Sequence, residues 1–308
     1  MSLLSWNCRG LGRASTVRGL KHLVKKSSPL GLFLIETKSS IGKMVKLAKG
    51  LPFDNHIVVE AANRAGGMAL FWNSALGWTV MYKSKWIIGV RTYLPNGTEC
   101  SSWFCYCPAE KALRHSFWTE LSKAISSGSE VWMCMGDFND IIDQEEKIGG
   151  RKVTSKSNYF LRNFIANMGA LDLGFCGTMY TWCNRRGGTA NIRELLDRVL
   201  ASPDWRILFP QAGVIHLPPA GSDHLPLKLT MTQDHPTTPR PFRFLEVWTR
   251  DPSCESIIKE AWSSSSHNRS RTSLRFKLSN TARALKRWNK DNFGFCHTKI
   301  NDLEAFLS

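Results

Sequence analysis

The sequence has no CxxC pair and no cluster of cysteine with histidine at zinc-ligand spacing, although it carries nine cysteines. That excludes the common zinc ribbons and fingers. Cys105 and Cys107 are two apart in a strand-like run, a poor geometry for bonding to each other. No apolar run approaches the roughly 18 residues of a membrane span, so no membrane partner is expected. No signal peptide is expected either, because Met1 to Asn7 already reads as a strand. Free thiols in a reducing compartment follow as the default. Acids are also scarce, with 25 Asp and Glu against 41 Lys and Arg, a net charge of +16. Such a balance points to a polyanionic partner, most simply nucleic acid. The surplus is +11 over residues 1–232 and +5 over 233–308, so it is not a basic tail alone.

What is present is a chain of 308 residues with 43% hydrophobic content, enough for two average domains or one large α/β domain. Short apolar runs bounded by turn signals read as buried strands. Residues 1–7 form the first and end at Asn7, before Cys8-Arg9-Gly10-Leu11-Gly12. Residues 32–36 form the second, with Glu36 as its last residue. Further strands are predicted over 56–60, 67–72, 78–82, 86–93 and 98–106, the last two forming a hairpin around Pro95-Asn96-Gly97. A run from Val131 is predicted to end at Gly136 and to deliver Asp137 and Asn139 to the carboxyl rim of a sheet. Taken alone, Asp137 to Asp140 reads equally as a turn. Residues 195–200 give another apolar strand carrying Asp197. Tyr180 to Gly188 reads as a strand end with a basic, glycine-rich loop. Segments 214–217 and 226–231 flank a loop with Ser222-Asp223-His224. Helical spacing appears over 16–26, 39–49, 111–127 and 157–168.

Residues 233–241 hold three prolines and read as a linker that closes a body of residues 1–232. The tail, 242–308, has no strand series. Phe242 to Leu245 is a possible extended segment, and 274–292 reads as a basic helix. Too few apolar residues remain there for an independent core.

Acids or amides thus end several apolar strands: Asn7, Glu36, Asp137 with Asn139, and Asp197. Hard cations such as Mg²⁺ take oxygen ligands, often one or two carboxylates completed by water and phosphate oxygens. Hydrolysis of a phosphodiester also needs an activated water and a donor for the charged transition state. These residue types supply each role. Arg9, Arg13, Arg185 and Arg186 lie on loops after rim-directed strands. They read either as phosphate grips or as a solvated basic face.

Trp6-Asn7-Cys8-Arg9-Gly10, Glu36-Thr37-Lys38, Tyr106 before Pro108, Gly136-Asp137-Phe138-Asn139, Thr181-Trp182, Leu196-Asp197-Arg198 and Ser222-Asp223-His224 occur in this order. Together they resemble the endonuclease/exonuclease/phosphatase superfamily, and within it the endonuclease domain of plant LINE-type (non-LTR) retrotransposons. The resemblance covers residues 2–232. It continues weakly through Pro241 to Phe244 and the Lys286 to Lys290 helix, which resemble the connector before a reverse transcriptase; no polymerase region follows Ser308.

The resemblance implies an α/β fold in four α-β-β-α layers, two packed mixed β-sheets flanked by helices, with a helical C-terminal tail. Strand and helix order alone does not separate that from a doubly wound sheet. It also implies Mg²⁺-dependent (or Mn²⁺-dependent) cleavage of DNA, a nick leaving a 3′-hydroxyl, by a nuclear monomer with no small-molecule cofactor; the cytoplasm is the other compartment. By the same resemblance, Glu36 binds the metal with Asn7 near it. Asp137 orients or deprotonates the attacking water, and Asn139 holds the phosphate and that water. His224 contacts the phosphate as a charged donor, and Asp223 holds its ring. Tyr106 donates to a phosphate oxygen or helps the leaving group, and Asp197 assists near the leaving oxygen or metal. Thr181 and Ser222 touch the DNA backbone, with Arg9 and Arg185 as further phosphate contacts. The alternatives are a catalytically degenerate nucleic-acid binder, or an abasic-site nuclease or phosphatase on the same fold. Two departures stand out. Cys107 replaces the usual glycine after the tyrosine, and Pro219 replaces a basic residue before Ser222.

Overall fold

A computed structural model describes residues 1–61, 66–152, 159–232, 251–263 and 274–292. The chain divides into two compact units, Met1–Pro236 and Thr237–Ser308. In the first unit, β1 (Ser2–Asn7) leads to α1 (Ala14–Ser27), β2 (Gly31–Ile35) and α2 (Ile41–Ala48). A run of strands follows: β3 (Asn55–Val59), β4 (Met68–Trp72), β5 (Thr79–Lys83), β6 (Ile87–Tyr93) and β7 (Glu99–Tyr106). Then come α3 (Lys111–Ser126), β8 (Trp132–Asp137), β9 (Lys147–Ile148), α4 (Tyr159–Asn167), β10 (Leu171–Asp172), β11 (Trp182–Cys183) and β12 (Arg193–Glu194). β13 (Asp197–Ala201), α5 (Pro203–Leu208), β14 (Gly213–His216) and β15 (Leu227–Thr230) complete the unit.

The strands build two six-stranded sheets, ordered β14-β15-β1-β2-β4-β3 and β10-β13-β8-β7-β6-β5, and a three-stranded ribbon β11-β12-β9. Each large sheet has one parallel pair, β1 with β2 and β7 with β8, among antiparallel neighbours. The sheets face each other across Leu3, Phe33, Ile35, Leu70, Ile88, Phe104, Met133, Met135 and Val199. α1 and α2 cover the other face of the first sheet, where Leu4, Trp6, Leu32 and Leu34 meet Leu20, Leu23, Val24 and Met44. α3 and α4 cover the second, where Trp103, Trp132 and Cys134 meet Phe117, Leu121, Leu161 and Phe164. The architecture is therefore the four-layer sandwich.

Strand parity places the functional rim. Side chains alternate between faces with period two. Leu4 and Trp6 face the helices, so Leu3 and, by the same count, Asn7 face the second sheet. On β8, Cys134 faces the helices, and Met133, Met135 and hence Asp137 face the first sheet. Asp137 is the last residue of its strand, one step later than the predicted end at Gly136. Glu36 lies just past β2 rather than within it, with φ of +51°. Asp197 opens β13, and 195–196 precede the strand. The ladder between β13 and β8 pairs Asp197 with Asp137 directly. That contact between two acids is visible only once the register is known.

In the second unit, α6 (Pro252–Ser263) and α7 (Leu274–Asn292) share a small apolar cluster of Cys254, Leu285 and Trp288 with Ile257 and Ile258. Trp288 Nε1 donates to Ser253 Oγ at 2.8 Å. α7 matches the predicted basic helix, whereas α6 carries no comparable prediction. The 233–241 linker, the 242–245 segment and the first two residues of the predicted 157–168 helix lie outside the described residues. The eight described cysteines are free. No described helix is long and apolar enough to cross a membrane.

Gly136 offers a test of how tightly β7 and β8 constrain the rim. Its φ is +149°, and a Cβ there would stand 1.9 Å from the Cys105 carbonyl oxygen. Gly97, in the β6–β7 turn, has φ of +83° and open space around it. Gly136→Ala is expected to cost about 3 kcal/mol or more, and Gly97→Ala about 1 kcal/mol, in urea unfolding. Equal costs would mean that backbone conformation, not strand contact, sets the penalty at Gly136.

Candidate active site

The carboxyl ends of β1, β2, β7 and β8 bring Asn7, Glu36, Tyr106 and Asp137 to one place. Asn7 is fully buried, and its Nδ2 donates to Glu36 Oε1 at 3.1 Å and to Asp137 Oδ2 at 2.8 Å. By parity Glu36 would face the helices. Its left-handed backbone ends that parity, and the carboxylate turns to Asn7 instead. Arg9, itself at φ +52°, donates to Glu36 Oε1 at 2.8 Å, and Lys38 Nζ lies 3.0 Å from Oε2. Burial raises the Glu36 pKa, but Arg9, Asn7 and Lys38 outweigh it and hold the carboxyl below its usual range.

Asp223 is the second acid on Arg9. Its oxygens accept from Arg9 Nε at 3.1 and 3.2 Å and from Nη2 at 3.1 Å. Trp182 Nε1 also donates to Asp223, at 3.1 Å. These partners hold its pKa low against the opposing effect of burial. Asp223 therefore does not hold the His224 ring, as the resemblance implied. The ring partner is Asp197, whose Oδ2 lies 2.9 Å from His224 Nδ1. The reason is geometric: neighbouring side chains on an extended segment point apart, while Asp197 on β13 faces into the intersheet gap.

His224 Nε2 lies 3.8 Å from Asp137 Oδ2. Burial disfavours the imidazolium, but the Asp197 and Asp137 carboxylates prevail and push the pKa up to about 9. Asp137 is fully buried, and desolvation lifts its pKa to about 7 despite the attraction of His224 and the Asn7 hydrogen bond. The site thus pairs a charged imidazole with a carboxyl poised near neutrality.

Asn139, at φ +48°, is tied at both ends. Its amide N–H donates to Asp137 Oδ1 at 2.9 Å, and Nδ2 to the Cys107 carbonyl at 2.7 Å. The Cys107 N–H donates to the Asp137 carbonyl at 2.8 Å. Cys107 is buried and joins the loops of Tyr106 and Asn139. Tyr106 is half-buried and paired in register with Asp137. Burial and the Glu36 and Asp137 carboxylates hold its phenol protonated, well above the ordinary pKa.

Other expected contacts need correction. Thr181 is fully buried, and its Oγ1 accepts from the Leu196 and Asp197 amides at 3.0 Å each. It positions Asp197 and has no surface to offer DNA. Ser222 is also buried, with Oγ accepting from the His224 amide at 3.2 Å and donating to Asp223. Arg185 donates to the Ser222 carbonyl. Roles for Lys38 and Trp182 were not read from the sequence, though both stand inside its motifs. Arg198 is buried and holds Asp172 and Glu146. Asp140, read as a turn residue, is buried with Oδ1 3.8 Å from Arg114.

Two donor groups could hold a cation. Ligand atoms of Asp137, Asp197 and His224 lie within 4.8 Å of one another. A ligating imidazole must be neutral, however, and this one is charged, buried and held through Nδ1 by Asp197. Glu36 and Asp223 fit better. Both present carboxylate oxygens, and one guanidinium already bridges them. That is the charge demand a hard cation meets.

Residues 4–224 match the family model for the Endonuclease/Exonuclease/phosphatase family. Solved structures share the fold. An AP endonuclease from Leishmania major is 16% identical over 76% of this chain and 88% of its own, with a TM-score of 0.60. The endonuclease domain of TRAS1, a telomere-specific non-LTR retrotransposon, is 13% identical over 76% and 99%, at 0.55. A 3′-5′ exonuclease from Neisseria meningitidis is 16% identical over 75% and 100%, at 0.55. No curated protein matches the chain.

The His224 pair makes a pH prediction. A histidine whose folded pKa of about 9 exceeds its ordinary 6.5 adds stability that is complete below pH 6.5. That stability is lost as pH rises through 9. NMR titration in EDTA should find the His224 ring charged at pH 8, and Asp197→Asn should lower its pKa and flatten this limb of the stability profile. A wild-type ring titrating near 6.5 would show that Asp197 does not govern it.

Proposed function

The chain belongs to the endonuclease/exonuclease/phosphatase family, and on that premise we propose that it is a metal-dependent DNA endonuclease of retrotransposon origin that nicks one strand. The observation that carries this reading is the intersheet pairing of a near-neutral carboxyl, Asp137, with a charged imidazole, His224, beside Glu36. DNA as substrate is supported by the surplus of positive charge, which a small phosphate ester does not call for.

Asp137 takes the proton of a water aligned by Asn139. The water oxygen bonds to phosphorus as the bond from phosphorus to the 3′-oxygen breaks. That oxygen leaves as a 3′-hydroxyl once protonated, and the other product is a 5′-phosphate. His224, kept charged by Asp197, donates Nε2–H to a non-bridging phosphate oxygen, where negative charge grows. Tyr106, held protonated, donates on the leaving side. Glu36, with Asp223 beside it, would hold Mg²⁺ or Mn²⁺, displacing Arg9 or Lys38. The ion would supply Lewis-acid charge stabilisation. Arg9, once released, is free to pair with a phosphate.

Supercoiled plasmid tests the reading. Wild type should nick it with Mg²⁺ and not with EDTA, and Asp137→Ala or His224→Ala should each lower the rate by about 10³-fold. Binding without nicking would leave a catalytically degenerate binder. Cleavage confined to abasic DNA would assign the site to repair.

A further inference from the structure

The positive charge of the chain is unevenly spread. Residues 1–53 hold ten Lys and Arg and a single acid, Glu36, a surplus of +9 out of +16. Two of the ten, Arg9 and Lys38, are committed to Glu36. Most of the others stand on α1 and α2, neither of which contains an acid. Like-charged residues crowding one helical layer carry a repulsive cost, and nothing in the fold itself requires it.

Between the two helices runs a groove of about 330 Å³. Leu11, Val17 and Leu47 contribute apolar surface above the buried Met44, and Lys21, Lys43 and Lys46 also line it. All three lysines are exposed, and none has an ion-pair partner among the described residues. Gly50 also lines it, with Lys21 Nζ 3.3 Å from where a side chain on it would begin. Leu11 and Ser39 are among its lining residues. They lie two and three residues past Arg9 and Glu36, and the Leu11 N–H donates to the Thr37 carbonyl at 3.0 Å. The groove therefore shares the loops that carry Arg9 and Glu36.

We propose that this α1–α2 groove binds an unpaired nucleic-acid strand running off the rim, with the lysines on its phosphates and the apolar residues under its bases. A rigid duplex would rest on the lysines alone and leave the floor uncovered. A single strand matches both the basic edges and the apolar floor. The proposal rests on the nuclease reading only for the path by which the strand arrives.

The test measures binding in EDTA, so it does not depend on cleavage. A blunt duplex is compared with the same duplex carrying a ten-nucleotide single-stranded tail, on wild type and on a Lys21→Gln, Lys43→Gln, Lys46→Gln triple variant. Wild type should prefer the tailed DNA. The triple variant should lose about 10-fold or more on it, and its slope of log affinity against log salt should fall by about 2, roughly 0.7 per contact. A second triple variant, Lys26→Gln, Arg91→Gln, Lys123→Gln, removes the same charge from exposed positions outside the groove and should keep the preference. No tail preference in wild type, or equal loss in both variants, overturns the proposal. So does an unchanged preference in the groove variant, including the case where only wild type co-sediments with phosphatidylserine vesicles, which would make the face a lipid-binding one. Tail binding without any nicking would support the groove and sink the nuclease; nicking with an unaltered tail preference would do the reverse.

Discussion

The side-chain amide of Asn7 ties the two sheets together at the rim. Its two N–H bonds are spent on two acids from different elements, Glu36 after β2 and Asp137 at the end of β8. Its Oδ1 accepts from the Arg9 amide at 3.2 Å, which fixes the loop that carries the guanidinium. An asparagine is the natural occupant because the position needs two donors and one acceptor on a short stem. Aspartate would add a further negative charge between two carboxylates. Leucine would strip Asp137 of a donor, and an undersatisfied buried charge costs several kcal/mol.

Around that amide the charges form a nearly closed account. Glu36, Asp137, Asp197 and Asp223 face Arg9, Lys38 and His224. The outer acids, Glu36 and Asp223, each hold a guanidinium contact and stay ionised. Asp137 holds no guanidinium contact; its cation is His224, whose Nε2 is 3.8 Å away while Nδ1 belongs to Asp197. At an effective dielectric near 20, a unit charge at that distance is worth about 4 kcal/mol, or roughly three pH units. Desolvation of a fully buried carboxyl is of the same size and opposite sign. For Asp137 desolvation exceeds the attraction of His224, and the repulsion of Asp197 adds to it. Near-neutral titration of this acid thus comes first from its burial between the sheets, with Asp197 across the β8–β13 register adding to it.

Much of this was legible in the sequence, for a physical reason. Buried strands advertise themselves as short apolar runs, and an acid or amide closing such a run has few places to go except a sheet rim. Asn7, Glu36 and Asp137 were therefore visible. What the sequence did not disclose is pairing between elements. Asp223 stands next to His224, which made it the obvious ring partner, yet strand geometry turns it toward Arg9 and gives the ring to Asp197, 27 residues away. Thr181 was assigned to the DNA backbone by the resemblance alone, and burial makes it a brace for Asp197. Two sheets rather than one also depends on pairing order, which no local pattern encodes. α6 escaped notice because few apolar residues mark its buried face: Cys254 and Ala261 alone are fully covered.

The distribution of positive charge divides by task. Arg9, Lys38 and His224 are all in contact with carboxylates, so their fields are neutralised within a few ångströms and add little beyond the Debye length of about 8 Å in physiological salt. They adjust the chemistry of the rim without drawing anything toward it. The lysines along α1 and α2 are in the opposite condition: acid-free helices leave their charge uncompensated, and such charge steers a polyanion from a distance. If the basic residues served only to balance the buried acids, the surplus would vanish at the rim, and residues 1–53 would be near neutral. They stand at +9, with a single acid among them. On the proposed function, capture and cleavage draw on different residues, and the loop after β1, which carries both Arg9 and Leu11, is where the two systems touch.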